Sequence, residues 1–228
     1  MRDAYHEELA GIGKELVAMA RMAETAIEQA TRALLASDLD LAQHVISADA
    51  TLDAVQHDLE ERALELLARQ QPVATELRTV VASLRMSADL ERMGDLAQHV
   101  AKVARLRYPI GAIPTEVRDV IKEMGQVAKR MAARTACVLT SRDVRTALAL
   151  ESEDDEMDRL HRTLFHHLLD NRWTHGVETA VDVALCSRYY ERFADHAVSV
   201  AKQVVFLVTG ERAADYNDFT GPFNTAGS

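Results

Sequence analysis

Glu91 and Asp95 stand four positions apart, and the same pair returns as Glu191 and Asp195, 100 residues on (191 − 91 = 100). On a helix that spacing puts both carboxylates on one face, one turn apart. The surrounding residues repeat as well. Glu-Arg heads each segment (Glu91-Arg92, Glu191-Arg192) and Val-Ala-Lys closes it (Val100-Ala101-Lys102, Val200-Ala201-Lys202), without a gap. A second acidic pair precedes each of these. Asp49 and Asp53 form a DxxxD in the first half, and Asp154 and Asp158 form another in the second, at an offset of 105 (154 − 49 = 105). If the helices carrying the two pairs lie side by side, four carboxylates converge in each half. All-oxygen clusters of this kind suit hard or borderline cations, and carboxylates can bridge two ions about 3.5–4 Å apart.

The apolar phase makes these acids more than surface decoration. Leu77, Val81, Leu84 and Ala88 step by 4, 3 and 4 toward Glu91 and Asp95, and Val177, Val181, Ala184 and Arg188 lead the same way to Glu191 and Asp195. On this reading all four acids occupy core positions. An uncompensated carboxylate there costs several kcal/mol or takes up a proton, so a bound cation is expected. Taken singly, a DxxxD pair is a solvated helix face, and Asp154 and Asp158 sit in or beside the acidic run 151–156. The ordered recurrence of both pairs is what favours metal. His99 and His196 adjoin the acids and are candidates for supplementary ligands or for bystanders.

The elements that must carry these groups are helices. Aromatic residues make up 5% of the 228-residue chain, with 9 glycines and 4 prolines, a balance that favours helix over sheet. Leu9, Ile12, Leu16, Met19, Ala23, Ala26, Ala30 and Ala33 alternate steps of three and four, which predicts a first helix of about eight turns. Ser37-Asp38 stops it and caps a second helix, which reaches about Gln70. Pro72 fits the first turn of a third helix, which runs to about Arg107. Tyr108–Pro114, with two prolines and a glycine, is the clearest break in the chain. A second set follows, with helices over roughly 117–138, 143–172 and 176–209, the last closed by Gly210. The predicted fold is all-α: two tandem three-helix bundles related by internal duplication, residues 1–108 and 109–212, with a loosely ordered tail over 213–228.

Composition excludes several function classes. A net charge of −10 and a pI near 5.4 argue against nucleic acid as a partner. No apolar run approaches membrane-spanning length, and the polar start Met1–Glu8 is not expected to be a signal peptide. Cys137 and Cys186 have no zinc or disulfide spacing and are expected to be buried free thiols. No glycine-rich phosphate loop, nucleophile elbow or dinucleotide fingerprint is present, so direct nucleotide chemistry has no support.

The duplicated three-helix layout and the acidic pairs, above all Asp89-Leu90-Glu91-Arg92-Met93-Gly94-Asp95, resemble the PhoU family of accessory regulators of bacterial phosphate-specific transport. The resemblance runs from the first helix to Gly210. It implies a cytoplasmic, non-enzymatic homodimer with multinuclear metal (iron, zinc, manganese or magnesium) on those carboxylates. It also implies negative control of the phosphate-starvation response through the transporter's ATPase subunit and a sensor histidine kinase. The second copy departs from the first in having Ala194 for Gly94 and Tyr189-Tyr190 for Asp89-Leu90.

Two rivals follow from the residues. A ferritin-like di-metal carboxylate oxidase or metal-storage protein needs two Glu-x-x-His motifs; Asp3/His6 and Asp158/His161 are the near matches, and neither has Glu. A purely structural helical adaptor would use the acids as salt-bridge partners of Arg92 and Arg192. Those arginines lie one position from Glu and are expected to meet a neighbouring helix or a partner protein instead.

Overall fold

The computed structural model describes residues 2–70 and 75–211. Helices are α1 (Arg2–Ala36), α2 (Leu39–Gln70), α3 (Thr75–Leu106), α4 (Thr115–Ser141), α5 (Val144–Leu148), α6 (Leu150–Leu169) and α7 (Gly176–Thr209). No strand occurs among the described residues. Pro72 and the 213–228 tail lie outside them.

Local chemistry sets the breaks. After α1, Ser37 turns left-handed (φ 52°), and the Asp38 carboxylate accepts from Leu41 N at 3.0 Å, which caps α2. Gly111 (φ 87°) in the inter-repeat segment packs against this turn, where a Cβ would stand 2.7 Å from Ser37 Oγ. Gly210 (φ 83°) ends α7, its N–H donating to Phe206 O at 2.9 Å. The single helix expected over 143–172 is instead two. Asp143 caps the short α5, and Ala149, whose N–H bonds back to Arg145 O at 3.1 Å, closes it before α6 begins at Leu150.

The duplication is visible in burial. Ile12, Leu16, Met19 and Ala23 of α1 are buried, and so are Val117, Ile121, Met124 and Ala128 of α4, each 105 positions on. In the third helices the offset shrinks to 100, because 38 positions separate Asp53 from Glu91 and 33 separate Asp158 from Glu191. Each repeat is a three-helix bundle: α2 lies on α1 and α3, and α6 lies on α4 and α7.

The repeats are joined through their inner helices. α1 runs antiparallel to α4, with Glu28 bonded to Lys129 at 2.7 Å and Arg118 donating to Leu35 O at 2.5 Å. α3 runs antiparallel to α7 in the same manner. One hydrophobic cluster extends from Ile12 through Leu90 to Val205, so the bundles share a core. At its centre the Thr31 hydroxyl donates to Ile27 O at 2.7 Å, which leaves its oxygen to accept from the buried Tyr190 hydroxyl at 2.8 Å.

Candidate metal centre

α2 and α3 bring Asp49, Asp53, Glu91 and Asp95 together; α6 and α7 do the same for Asp154, Asp158, Glu191 and Asp195. The acids of each set feel one another's charge. Burial, followed by the charges of Asp53 and Asp95, pushes the Asp49 carboxyl up to about 6, while Lys102 and His99 pull it back. Asp154 is pushed up to about 6 by burial and then by Asp195, Asp158 and Glu191. Glu91 and Glu191 are raised by burial and then by Asp95 and Asp195 respectively.

The face these acids occupy differs from the one the apolar stepping predicts. Leu77 is 42% exposed, Val177 81% and Val181 50%, and Ala88 and Arg188 are exposed too. The core side of α3 is carried instead by Val80, Ser83, Ser87, Leu90, Gly94, Ala97 and Ala101, many of them small or polar residues that let the neighbouring helices α1, α2 and α7 approach closely. The acids therefore sit on the flank of the core. Asp53 and Asp195 are exposed and the other six are half-buried.

Two arginines cover the acids. Arg92 folds back on its own helix to Asp95 at 2.5 Å, where a neighbouring helix or partner was the expectation, and Arg188 does the same to Glu191. Among the described residues no group of three or more His, Cys, Asp or Glu is gathered closely enough to hold an ion as it stands. One observation nevertheless fits a cation. Asp154 Oδ1 is buried with no hydrogen-bond partner, among three further carboxylates.

The histidines divide. His99 donates from Nδ1 to the Asp95 carbonyl at 2.8 Å, which leaves Nε2 as its acceptor nitrogen. His196 bonds through Nδ1 to Asp89 Oδ1 at 2.8 Å, and Ser199 donates to Asp89 Oδ2 at 2.7 Å. Asp89 thus fastens α3 to α7, a role its sequence setting does not announce, since the partner lies on the other repeat. Gly94 lets α2 approach closely: a Cβ there would stand 2.3 Å from Leu52 Cδ2 and 3.2 Å from Asp49 Oδ1, so those side chains would have to move. The two cysteines also separate, Cys186 being buried as expected and Cys137 exposed.

The PhoU domain family profile matches residues 16–104 and 121–204, one match per repeat. The chain belongs to the PhoU family. It is 50% identical over 210 residues, 92% of this chain and 99% of the relative, to "Phosphate-specific transport system accessory protein PhoU homolog 2" of Mycobacterium tuberculosis (strain H37Rv). A PhoU homolog 1 of Mycobacterium leprae is 46% identical, over 94% of this chain and 97% of its own length. The crystal structure of PhoU from Pseudomonas aeruginosa superposes with a TM-score of 0.83 at 27% identity, covering 91% of this chain and all of the other. That of the regulatory PhoU of Streptococcus pneumoniae gives 0.80 at 21% identity and shares the fold. Among the described residues of this PhoU-family chain, no helix is long and apolar enough to cross a membrane.

Proposed function

We propose that the chain is a metal-binding regulator of phosphate uptake that acts in the cytoplasm without catalytic turnover. When phosphate is plentiful it restrains the phosphate transporter through the transporter's ATPase subunit, and the starvation response through a sensor histidine kinase. It works as a homodimer in which each chain comprises two units, residues 1–108 and 109–212. Family membership and the role of the relatives as accessory proteins of phosphate-specific transport support this reading.

The buried, unpartnered Asp154 Oδ1 among three other acids is the observation that carries the metal part. Asp49, Asp53, Glu91 and Asp95 would hold one site, and Asp154, Asp158, Glu191 and Asp195 the other. Iron, zinc, manganese or magnesium would supply positive charge that lets every carboxylate ionise, and Arg92 and Arg188 would turn outward to free Asp95 and Glu191. Replacing both Asp95 and Asp195 by Asn keeps volume and removes charge. Metal content measured by mass spectrometry should then fall while the helical signal survives; unchanged content would sink the assignment. Deleting the gene should leave phosphate-starvation promoters active in high phosphate, and normal repression in a strain with no second copy would sink the regulatory part.

A further inference from the structure

Where α3 ends and α7 begins, the surface is apolar. Arg107, just past the end of α3, bonds to Glu178 and Asp182 near the start of α7. His161 of α6 bonds to Ser187 at 2.7 Å, so the last turns of α3 and α6 flank the first half of α7. Leu106, Phe165, Leu169, Val177, Val181 and Leu185 gather there, each exposing between 37% and 81% of its surface. Together they present roughly 600 Å², at the top of the range for the largest apolar patch on a monomer, where such patches mark interaction sites. Val177, Val181 and Leu185 follow one another by four residues and form a stripe along α7.

The opposite end of the same face carries different chemistry at the matching positions. At the offset of 100, Leu106 corresponds to Phe206 and Leu185 to Arg85; at 105, Phe165 corresponds to Glu60. Phe206 is half-buried beneath Arg78, whose guanidinium carbon stands 5.7 Å from the ring centre, and Arg85 and Glu60 are exposed charges. Charge therefore breaks up the apolar surface at these positions in one repeat and not in the other. A one-sided patch suits an isologous contact, in which two copies use the same surface and the assembly closes at two.

We propose that this patch is the contact between two copies of the chain, with their α7 helices packed antiparallel about a two-fold axis midway between Val181 and Leu185. That centre sets Val181 of one copy against Leu185 of the partner subunit. It also sets Glu178 against Arg188, so each copy supplies both charges and the surface complements itself. Glu178 and Arg188 are within reach, because their side chains are 76% and 53% exposed. The contacts of Arg107 with Asp182 and of His161 with Ser187 bring Leu106 and Phe165 to the level of the axis, where each faces its own counterpart. Two copies bury about 1,200 Å² of apolar surface alone, where stable interfaces begin. The contact rests on the homodimer proposed above and gives it a location. It does not use the acids, and the outward turn of Arg188 from Glu191 on metal binding is the same movement that frees it for Glu178 of the partner subunit.

Sedimentation velocity of the full-length protein, from about 1 to about 100 μM, is the test. The unaltered chain should sediment as a dimer. Val181→Glu and Leu185→Glu should each weaken that dimer by about tenfold or more while the helical signal is unchanged. Val177→Glu is the alternative should either fail to fold. Leu77→Glu, at the opposite end, should leave the dimer intact. Glu178→Arg should weaken it, and adding Arg188→Glu should restore it, because the reversed charges meet again across the axis. A monomer at about 100 μM overturns this surface and the homodimer together. A dimer that survives both Val181→Glu and Leu185→Glu overturns the surface alone and leaves the homodimer standing, as does an equal loss on Leu77→Glu. No recovery in the charge-reversed double variant overturns the antiparallel pairing. A monomeric chain that pellets with phosphatidylglycerol vesicles, when Val181→Glu does not, assigns the patch to lipid and likewise overturns the proposal.

Discussion

Ser199 donates to Asp89 at 2.7 Å, and moving each residue by 100 positions turns this pair into His99 and Tyr189, whose rings meet edge to face at 5.1 Å. The crossing of α3 and α7 therefore has an approximate two-fold symmetry, with different chemistry on its two sides. One side is a charged, hydrogen-bonded contact in which Asp89 also holds His196 at 2.8 Å. The other is aromatic.

That asymmetry makes Asp89 the more sensitive half. Asp89→Ala leaves His196 and Ser199 without their acceptor in a half-buried interface, and should lower unfolding free energy by about 1–3 kcal/mol. Asp89→Asn retains one acceptor oxygen and should lose less. Urea melts of the two variants provide the comparison; equal losses would mean that the hydrogen bonds contribute nothing.

At the far end of the same crossing, Arg107 grips Asp182 with Nε at 2.5 Å and Nη2 at 3.2 Å. Asp182 is only 6% exposed. Arg107→Ala should therefore lower Tm more than the double change Arg107→Ala/Asp182→Ala, because the single variant strands a buried carboxylate. Additive behaviour in the cycle would show that the pair is not coupled.

Metal-free protein should lose stability as pH rises from about 4 to about 6. Asp49 and Asp154 have folded-state values near 6 against an ordinary 3.8, so across this window the unfolded chain releases protons that the folded chain keeps. Stability from these groups is full below the ordinary value and gone above 6. Solvent screening at such half-exposed carboxylates holds the effect to about 1 kcal/mol each. Asp49→Asn/Asp154→Asn should flatten that slope in pH-dependent melts relative to the unaltered chain. Bound metal should reverse it, since ligation needs the ionised form.

Gly94→Ala forces a methyl group against buried Leu52 and the Asp49 carboxylate. A loss of about 1–3 kcal/mol is expected from overpacking, together with weaker metal binding. The equivalent change in the second repeat runs the other way: Ala194→Gly should cost about 1–2 kcal/mol, through helix propensity and the lost packing of a buried methyl. Calorimetry on both variants, with and without Mn²⁺, separates the two mechanisms.

Helix periods, caps and the duplication were legible because they depend on local chemistry: Asp38 and Gly210 act where their residue types predict. The buried side of α3 was not. Leu77, Val81, Leu84 and Ala88 keep a helical beat, yet the core lies on the stripe of Ser83, Ser87, Gly94 and Ala97, whose burial depends on the helices packed around α3. Small residues carry no hydropathy signal of their own, and their value is set by the neighbour they admit. The grouping of the eight acids was readable from recurrence, whereas the arginines over Asp95 and Glu191 depend on rotamers that spacing does not fix. Likewise the Thr31–Tyr190 bond joins residues 159 positions apart, with no sequence motif between them.

The antiparallel seam of α1 with α4 and α3 with α7 implies a simpler ancestor. A single repeat would expose the seam along two whole helices, and the partner best shaped to cover it would be a second copy of itself. In such a pair Asp89 of one copy would lie opposite His99 of the other, where it now meets Ser199. Fusing the two copies freed each half of the seam to diverge, and one side became a hydrogen-bonded clasp while the other became an edge-to-face ring contact.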